Sequence, residues 1–451
     1  MKMEEKILAN LEEKTEEIIA LLSKLVKIPS LTGEEGEAQG FVEKYLKNMG
    51  LDVEAWEPDI EELFSKYPEA AQYPSHWQHD LILPYQNMPT YADLVKTGTI
   101  DVLNYKNRPN VVGRLKGSGG GRSLILNGHI DTVTVEPREQ WNADPFGAEI
   151  RDSKMFGRGT ADMKGGVAAA IGAVECLIES GVKLRGDVII ESVVNEEHSG
   201  DGTLACVAKG IMADAVIVVE PTDYEVYISE SGNLYWEVRV KGKPAHTGSR
   251  WTGGKQVGVS AIEKIPEIIR SLVELEAEFN KAQAHPLYKD KPPSSLAIGK
   301  ISGGTYETLT AEECTIKGSL YFAPNVGSVR EVMERMQDAI SKASDNDPWL
   351  KQNPPELVFL HHRNPSEVNP REPIIEVIEN AVERALGFKP IAVGEHMPAD
   401  QSFYINQAKV PAVVFGPGSL AQAHKVDEYI KIEDFINGVK SLALIVYEWC
   451  K

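Results

Sequence analysis

The run Leu124-Ile125-Leu126-Asn127-Gly128-His129-Ile130-Asp131-Thr132-Val133 constrains this chain more than any other stretch. Its apolar half reads as a short buried strand, and it closes on glycine, histidine and aspartate. An imidazole there lies at the carboxyl end of a strand, where open α/β sheets bind their ligands. Asp131, two residues on, points the same way and is placed to hold the imidazole's other N–H, fixing the tautomer that binds a metal. The arrangement recurs with acids. The apolar run 188–194 closes on Asn195-Glu196-Glu197, and the run 215–219 closes on Glu220-Pro221. Such near-continuous apolar runs suit parallel strands covered on both faces.

With 451 residues, the chain is too long for one typical core, so two domains are expected. An apolar stripe at helical spacing over 7–26 predicts one helix closed by Pro29. Thr32-Gly33-Glu34-Glu35 reads as a capping box opening a second helix, which Gly50 ends. A strand starts at Val53, and the text from 58 to 107 is then irregular and rich in aromatic residues, an insert that suits a lid or a packed surface excursion. Regular text resumes at Asn110. Gly157-Arg158-Gly159-Thr160-Ala161-Asp162-Met163-Lys164-Gly165-Gly166 lets the backbone crowd a small ligand around Asp162, and it leads into a helix over 167–179. Near Ser231 the character changes to alternating strands at 234–240, 296–301, 315–322 and 354–360, with helices at 257–279 and 329–343. Two helices on one face of an antiparallel sheet make a self-contained insertion. A helix at 373–386, a strand at 411–415, His424 and a helix from 432 return to the first pattern. The expectation is an α/β fold: a mostly parallel catalytic sheet covered by helices, from residues 1–230 and 363–451, with an inserted α+β domain at 231–362.

A formal charge of −20 argues against a nucleic-acid or anionic-membrane surface. Residues 1–30 are charged and helical in pattern, unlike a signal peptide, and no apolar run approaches the ~20 residues of a membrane helix. Cys176, Cys206, Cys314 and Cys450 lie far apart and read as reduced, buried thiols, which predicts a cytoplasmic protein.

The candidate ligands are therefore His129, Asp162, Glu196, Glu197, Glu220 and His424. Any one alone reads as a solvated loop acid or a satisfied histidine. Together at sheet ends, the carboxylates would repel strongly unless cations sit among them. Two imidazoles with several carboxylates suit zinc, and a carboxylate can bridge two ions ~3.5–4 Å apart.

These motifs carry a resemblance. Gly128-His129-Ile130-Asp131-Thr132-Val133, Trp141-x-x-Asp144-Pro145-Phe146, the Asp162 loop, Glu196-Glu197, Glu220-Pro221-Thr222 and Gly416-Pro417-Gly418 with His424 resemble the dinuclear-zinc amidohydrolases. That family includes acetylornithine deacetylase, succinyl-diaminopimelate desuccinylase, aminoacylase and glutamate carboxypeptidase. The resemblance implies that Asp162 bridges two divalent ions, zinc first, with cobalt or manganese able to serve. His129 and Glu220 complete one ion, Glu197 and His424 the other, and Asp131 stands behind His129. Glu196 becomes the general base and acid. The chemistry agrees, because a metal brings water to a pKa of ~7, where a neighbouring carboxylate can take its proton. In the inserted domain, His246 resembles the lid histidine that steadies the oxyanion across a dimer interface.

Two departures bear on the substrate. No Asn follows Gly303-Gly304, and Tyr321 stands where the family carries an Arg that grips a substrate carboxylate. A phenol cannot replace a bidentate guanidinium. Arg250 is the substitute considered, and Asp400 lies in a motif that lacks its usual Thr and Arg neighbours. The expected activity is hydrolysis of a linear amide, freeing a small amine or amino acid from its acyl group, in a homodimer formed through the lid. The alternatives are a dipeptidase or carboxypeptidase, an N-formyl or N-acyl deacylase of a non-amino-acid amine, and, outside the class, an inactive metal-stabilised binding protein.

Overall fold

The computed structural model describes residues 3–78, 83–281, 284–288 and 291–451. Its main sheet is parallel at the centre. Strand Leu124–His129 lies between Val188–Val193 and Ala215–Val218, and Ala412–Val414 pairs with the latter, all in parallel. All four strands are buried along their whole length. The flanks are antiparallel, with Asn110–Leu115 and Asp52–Trp56 on one side and Val226–Glu230 on the other. Helices Lys164–Glu179 and Ile432–Cys450 pack together against the sheet. The result is the expected mixed α/β class, with its antiparallel pairs confined to the edges.

A second sheet is wholly antiparallel, in the order Ser294–Gly303, Glu313–Phe322, Gly232–Lys241, Glu356–Arg363. Helices Ala261–Phe279 and Val329–Asp345 pack on it through Ile265, Ile268, Leu272, Val332, Met336 and Ile340, all buried. The last strand runs three residues beyond the predicted 354–360, so that His361, His362 and Arg363 continue its ladder.

Three local expectations change. The stripe over 7–26 forms two helices, Met3–Glu13 and Thr15–Lys27, broken at Lys14, whose ψ of 4° leaves the helical region. The capping box does not form. The helix starts at Gly36, after Glu35 in αR geometry without a side-chain cap. Thr32 instead donates to Asp131 (2.9 Å), and Glu35 takes both arms of Arg108 (2.7 Å each) in a buried pair. The irregular stretch 58–107 contains helices Ile60–Lys66 and Tyr91–Lys96 and buries Leu63, Phe64, Tyr73, Tyr85, Leu94 and Tyr105. Its residues 79–82 lie outside the described ones.

Candidate metal centre

Three strands deliver ligands at their carboxyl ends. His129 closes Leu124–His129, Glu196 and Glu197 follow Val188–Val193, and Glu220 follows Ala215–Val218. Asp162 arrives from the loop before helix Lys164–Glu179. That helix meets the strand end so closely that a Cβ at Gly166 would lie 1.8 Å from the carbonyl oxygen of Val219, so only glycine fits there. The Asp162 loop is held from behind by Glu428, a buried carboxylate that accepts from the N–H groups of Gly159 (3.0 Å), Ala161 (2.8 Å) and Asp162 (3.2 Å) and pairs with Arg158 (2.7 Å). His424 enters from the loop after Ala412–Val414 with a φ of 60°, a conformation that non-glycine residues hold only where surroundings impose it.

Asp162 faces both imidazoles, one with each carboxylate oxygen. Its Oδ1 is 3.0 Å from Nε2 of His129, and its Oδ2 is 3.3 Å from Nε2 of His424. Glu220 lies 3.4 Å from His129, and Glu197 lies 2.8 Å from His424. Two ligands held at ~2.1 Å in a tetrahedral shell are themselves about 3.4 Å apart, so the spacing and chemistry of this His/Asp/Glu cluster fit divalent cations, with Asp162 between the two imidazoles. Glu196 stands further off, 3.8 Å from Nε2 of His129. The other nitrogen of His129 lies 2.8 Å from the backbone carbonyl of Asp131, which directs Nε2 toward the acids. The carboxylate of Asp131 is 3.7 Å from that nitrogen. It accepts instead from the backbone N–H groups of Glu196 (3.0 Å) and Glu197 (3.3 Å) and so braces the loop that carries both glutamates.

Carboxylates this crowded take up protons unless cations replace them. Burial, and the nearby Asp162, push the Glu197 carboxyl up to about 8, and burial raises Glu220 well above the carboxylate range. Hydrogen bonds to Asp162 and Glu197 lift His424 to about 11. Burial opposes charge on His129, yet Glu220 and Asp162 outweigh it and raise this imidazole too. For Asp162, burial is outweighed by the two histidines, and its carboxyl stays below the usual range.

The centre opens into a cleft of about 250 Å³ lined also by His198, Asn233, Tyr235, Tyr321, His361 and Arg363. Tyr321 is thus at the cleft, with its hydroxyl 3.1 Å from that of Tyr235. The Tyr235 and His361 rings lie 5.0 Å apart, and His198 meets His361 edge-on. Burial lowers both imidazoles, which stay neutral at pH 7. Asp400 sits buried behind the wall, accepting from Thr203 and lying 3.4 Å from Arg363. Arg250 does not line the cleft; Glu263 on the surface holds its guanidinium at 2.7 and 2.9 Å. His246 is exposed in a turn of the second sheet, its Nδ1 accepting from Gly248 (3.1 Å), and it is likewise absent from the cleft lining of its own chain. Sequence reasoning missed Arg363, His361 and Glu428. The first two sit where the expected strand had already ended, and Glu428 carries no pattern beyond following His424 closely.

The family model for peptidase family M20/M25/M40 matches residues 125–448. N-formyl-4-amino-5-aminomethyl-2-methylpyrimidine deformylase of Halalkalibacterium halodurans is 29% identical over 466 residues, covering 99% of this chain and 97% of that protein. Acetylornithine deacetylase of Salmonella paratyphi B is 28% identical over 348 residues, covering 76% and 84%. Among solved structures, the dipeptidase Dug1p of Saccharomyces cerevisiae superposes with a TM-score of 0.74 at 15% identity, over 100% of this chain and 99% of that one.

Proposed function

We propose, for a chain that belongs to peptidase family M20/M25/M40, that it removes a short acyl group, formyl or acetyl, from a small amine that carries a flat, uncharged ring. It is a metal-dependent amide hydrolase, and we assign it two zinc ions, with cobalt or manganese able to serve. Asp162 would be shared by both ions, His129 and Glu220 would hold one, and Glu197 and His424 would hold the other. When bound, the ions polarise the amide carbonyl and acidify the attacking water. Glu196 takes the proton from that water and delivers it to the leaving amine. The cleft walls orient the amine and exclude solvent. The four cysteines are free, buried thiols, which suits a cytoplasmic enzyme.

One observation carries the choice of substrate. The cleft is walled by Tyr235, Tyr321 and the neutral His361, and its one guanidinium among the described lining residues, Arg363, already faces two acids. A substrate carboxylate would have to compete with Glu196 and Asp400 for that one guanidinium and would lose its hydration. The deformylase that matches along nearly its whole length acts on an aminomethylpyrimidine, as its name says, and supports the same reading. The second reading, an N-acetyl amino acid deacylase, has the acetylornithine deacetylase match in its favour. A panel of N-formyl and N-acetyl heteroarylmethylamines, N-acetyl amino acids and dipeptides separates them. The expected result is a kcat/KM for the first group about 10²-fold above the rest. Faster turnover of N-acetyl amino acids or dipeptides would overturn it.

We also assign a homodimer through the second sheet, in which His246 of one copy steadies the developing oxyanion in the other. Exposed Trp251, Ile301 and Tyr306 on that unit support an interface. Sedimentation should show a dimer, and His246→Ala should lower kcat about 10²-fold. A fully active monomer would remove His246 from the reaction.

A further inference from the structure

Among its described residues the stretch 58–107 contributes no ligand, yet it grips the centre from two sides. On one side it holds the loop that carries Glu196. The side chain of Asn195, just before that glutamate, accepts from the backbone N–H and the hydroxyl of Ser75 (3.3 Å each). Arg108, at the end of the stretch, donates to the same oxygen (2.7 Å). Asn195 has a φ of 63°, so its backbone depends on such outside support. Gln72 and Tyr105 donate to Asp201 just beyond, at 3.3 and 2.8 Å.

On the other side it holds strand Glu356–Arg363 of the second sheet. Tyr85 exchanges both backbone hydrogen bonds with Phe359 (3.0 and 2.7 Å) on the edge of that sheet. The Tyr85 hydroxyl lies 2.7 Å from Nδ1 of His362, and Gln72 donates to the His362 carbonyl (2.6 Å). The next residue is Arg363, with a side chain 5% exposed. Its Nη1 lies 3.4 Å from both Glu196 and Asp400, and its guanidinium stands 5.1 Å from the centre of the Phe403 ring. At 3.4 Å the charges attract without a short hydrogen bond, so the guanidinium biases the Glu196 carboxylate toward itself while the strand shares in setting where the guanidinium stands. The strand is held on one edge by its ladder with Gly232–Lys241 and on the other by Tyr85 and Gln72.

We propose that Arg363 is a positioning residue for Glu196, and that the stretch 58–107 sets its position through Tyr85 and His362. Arg363 keeps the Glu196 carboxylate turned into the cleft, while Ser75 and Arg108 keep its loop in register. The second sheet and the base are thereby fixed to one another by a segment outside both. The inference rests on Glu196 being the base.

Tyr85→Phe deletes one hydroxyl and keeps the ring. It should lower kcat roughly tenfold, with KM and bound metal within about twofold of the parent, since small misplacements of a reacting group are costly. Arg363→Met should lower kcat further, and Arg363→Lys should recover part of it. In the Arg363→Met background, Tyr85→Phe should have no further effect on kcat. An unchanged kcat in Tyr85→Phe, or the same fold-loss in both backgrounds, overturns the proposal, because a merely stabilising contact would act independently of Arg363. Hydrogen exchange on the full zinc-loaded chain reads the same coupling without substrate. Tyr85→Phe should speed exchange at 359–363 and also at 195–199, and protection unchanged at 195–199 overturns the link. If the parent turns over nothing in the panel, the functional reading fails while the exchange result still judges this one.

Discussion

Replacing Glu196 with glutamine is expected to lower kcat by roughly 10³-fold while the protein keeps its metals and its fold. Glutamine has the shape of glutamate but no basic oxygen. Of the acids around His129, Glu196 is the most distant at 3.8 Å, against 3.0 Å for Asp162 and 3.4 Å for Glu220, so a ligand shell can close without it. Its backbone is held by Asp131 and is indifferent to the side-chain head group. Kinetics with the best panel substrate, paired with metal analysis of the same preparation, checks this. Two results would count against the assignment: turnover that survives intact, or metal lost along with activity.

Stripping the metals should take activity below about 1% of the starting rate, and divalent zinc, cobalt or manganese should restore it. The reloading carries a pH signature. Glu197, raised to about 8, and His424, raised to about 11, hold protons at pH 7 when no cation is present. Metal ligation requires both without those protons. Loading at pH 7 should therefore release on the order of one proton or more per chain, and affinity should rise with pH through about 8 and on toward 11, and fall on acidification. Titrating stripped protein with zinc in unbuffered solution, on a pH-stat, measures the release directly. Zinc uptake without proton release would mean that the cations bind somewhere other than this cluster.

The two experiments probe residues that sequence reasoning singled out, and the reason those were legible is physical. Parallel strands buried on both faces must be apolar throughout, so an abrupt His, Glu-Glu or Glu-Pro at the end of such a run stands out. The same logic made the α/β class readable from 124–133, 188–197 and 215–221. What failed was local chemistry with a tertiary competitor. Thr32 and Glu35 have the spacing of a capping box, but Asp131 and Arg108 offer them buried partners worth more than a helix cap. Arg250 is close to the right motif in sequence and is claimed by Glu263 on the surface. Asp131 lies just beyond the strand end, but its carboxylate serves the loop of Glu196 and Glu197 while its carbonyl serves His129.

By itself, the sequence determined the strand ends that carry His129, Glu196, Glu197 and Glu220, because burial of a strand is written in its residue types. It also determined that Gly318 is followed to the strand end by Ser319-Leu320-Tyr321-Phe322, with no arginine among them, since an absent side chain is legible anywhere. The tertiary structure alone decided what fills the cleft instead. Arg363, His361 and Tyr85 belong to segments almost three hundred residues apart, and His-His-Arg reads as the end of a strand until a neighbour satisfies it. Pairing with Gly232–Lys241 makes the three polar residues part of the sheet, the aromatic stretch on the other edge gives His362 its partner in Tyr85, and the strand's end brings Arg363 beside Glu196.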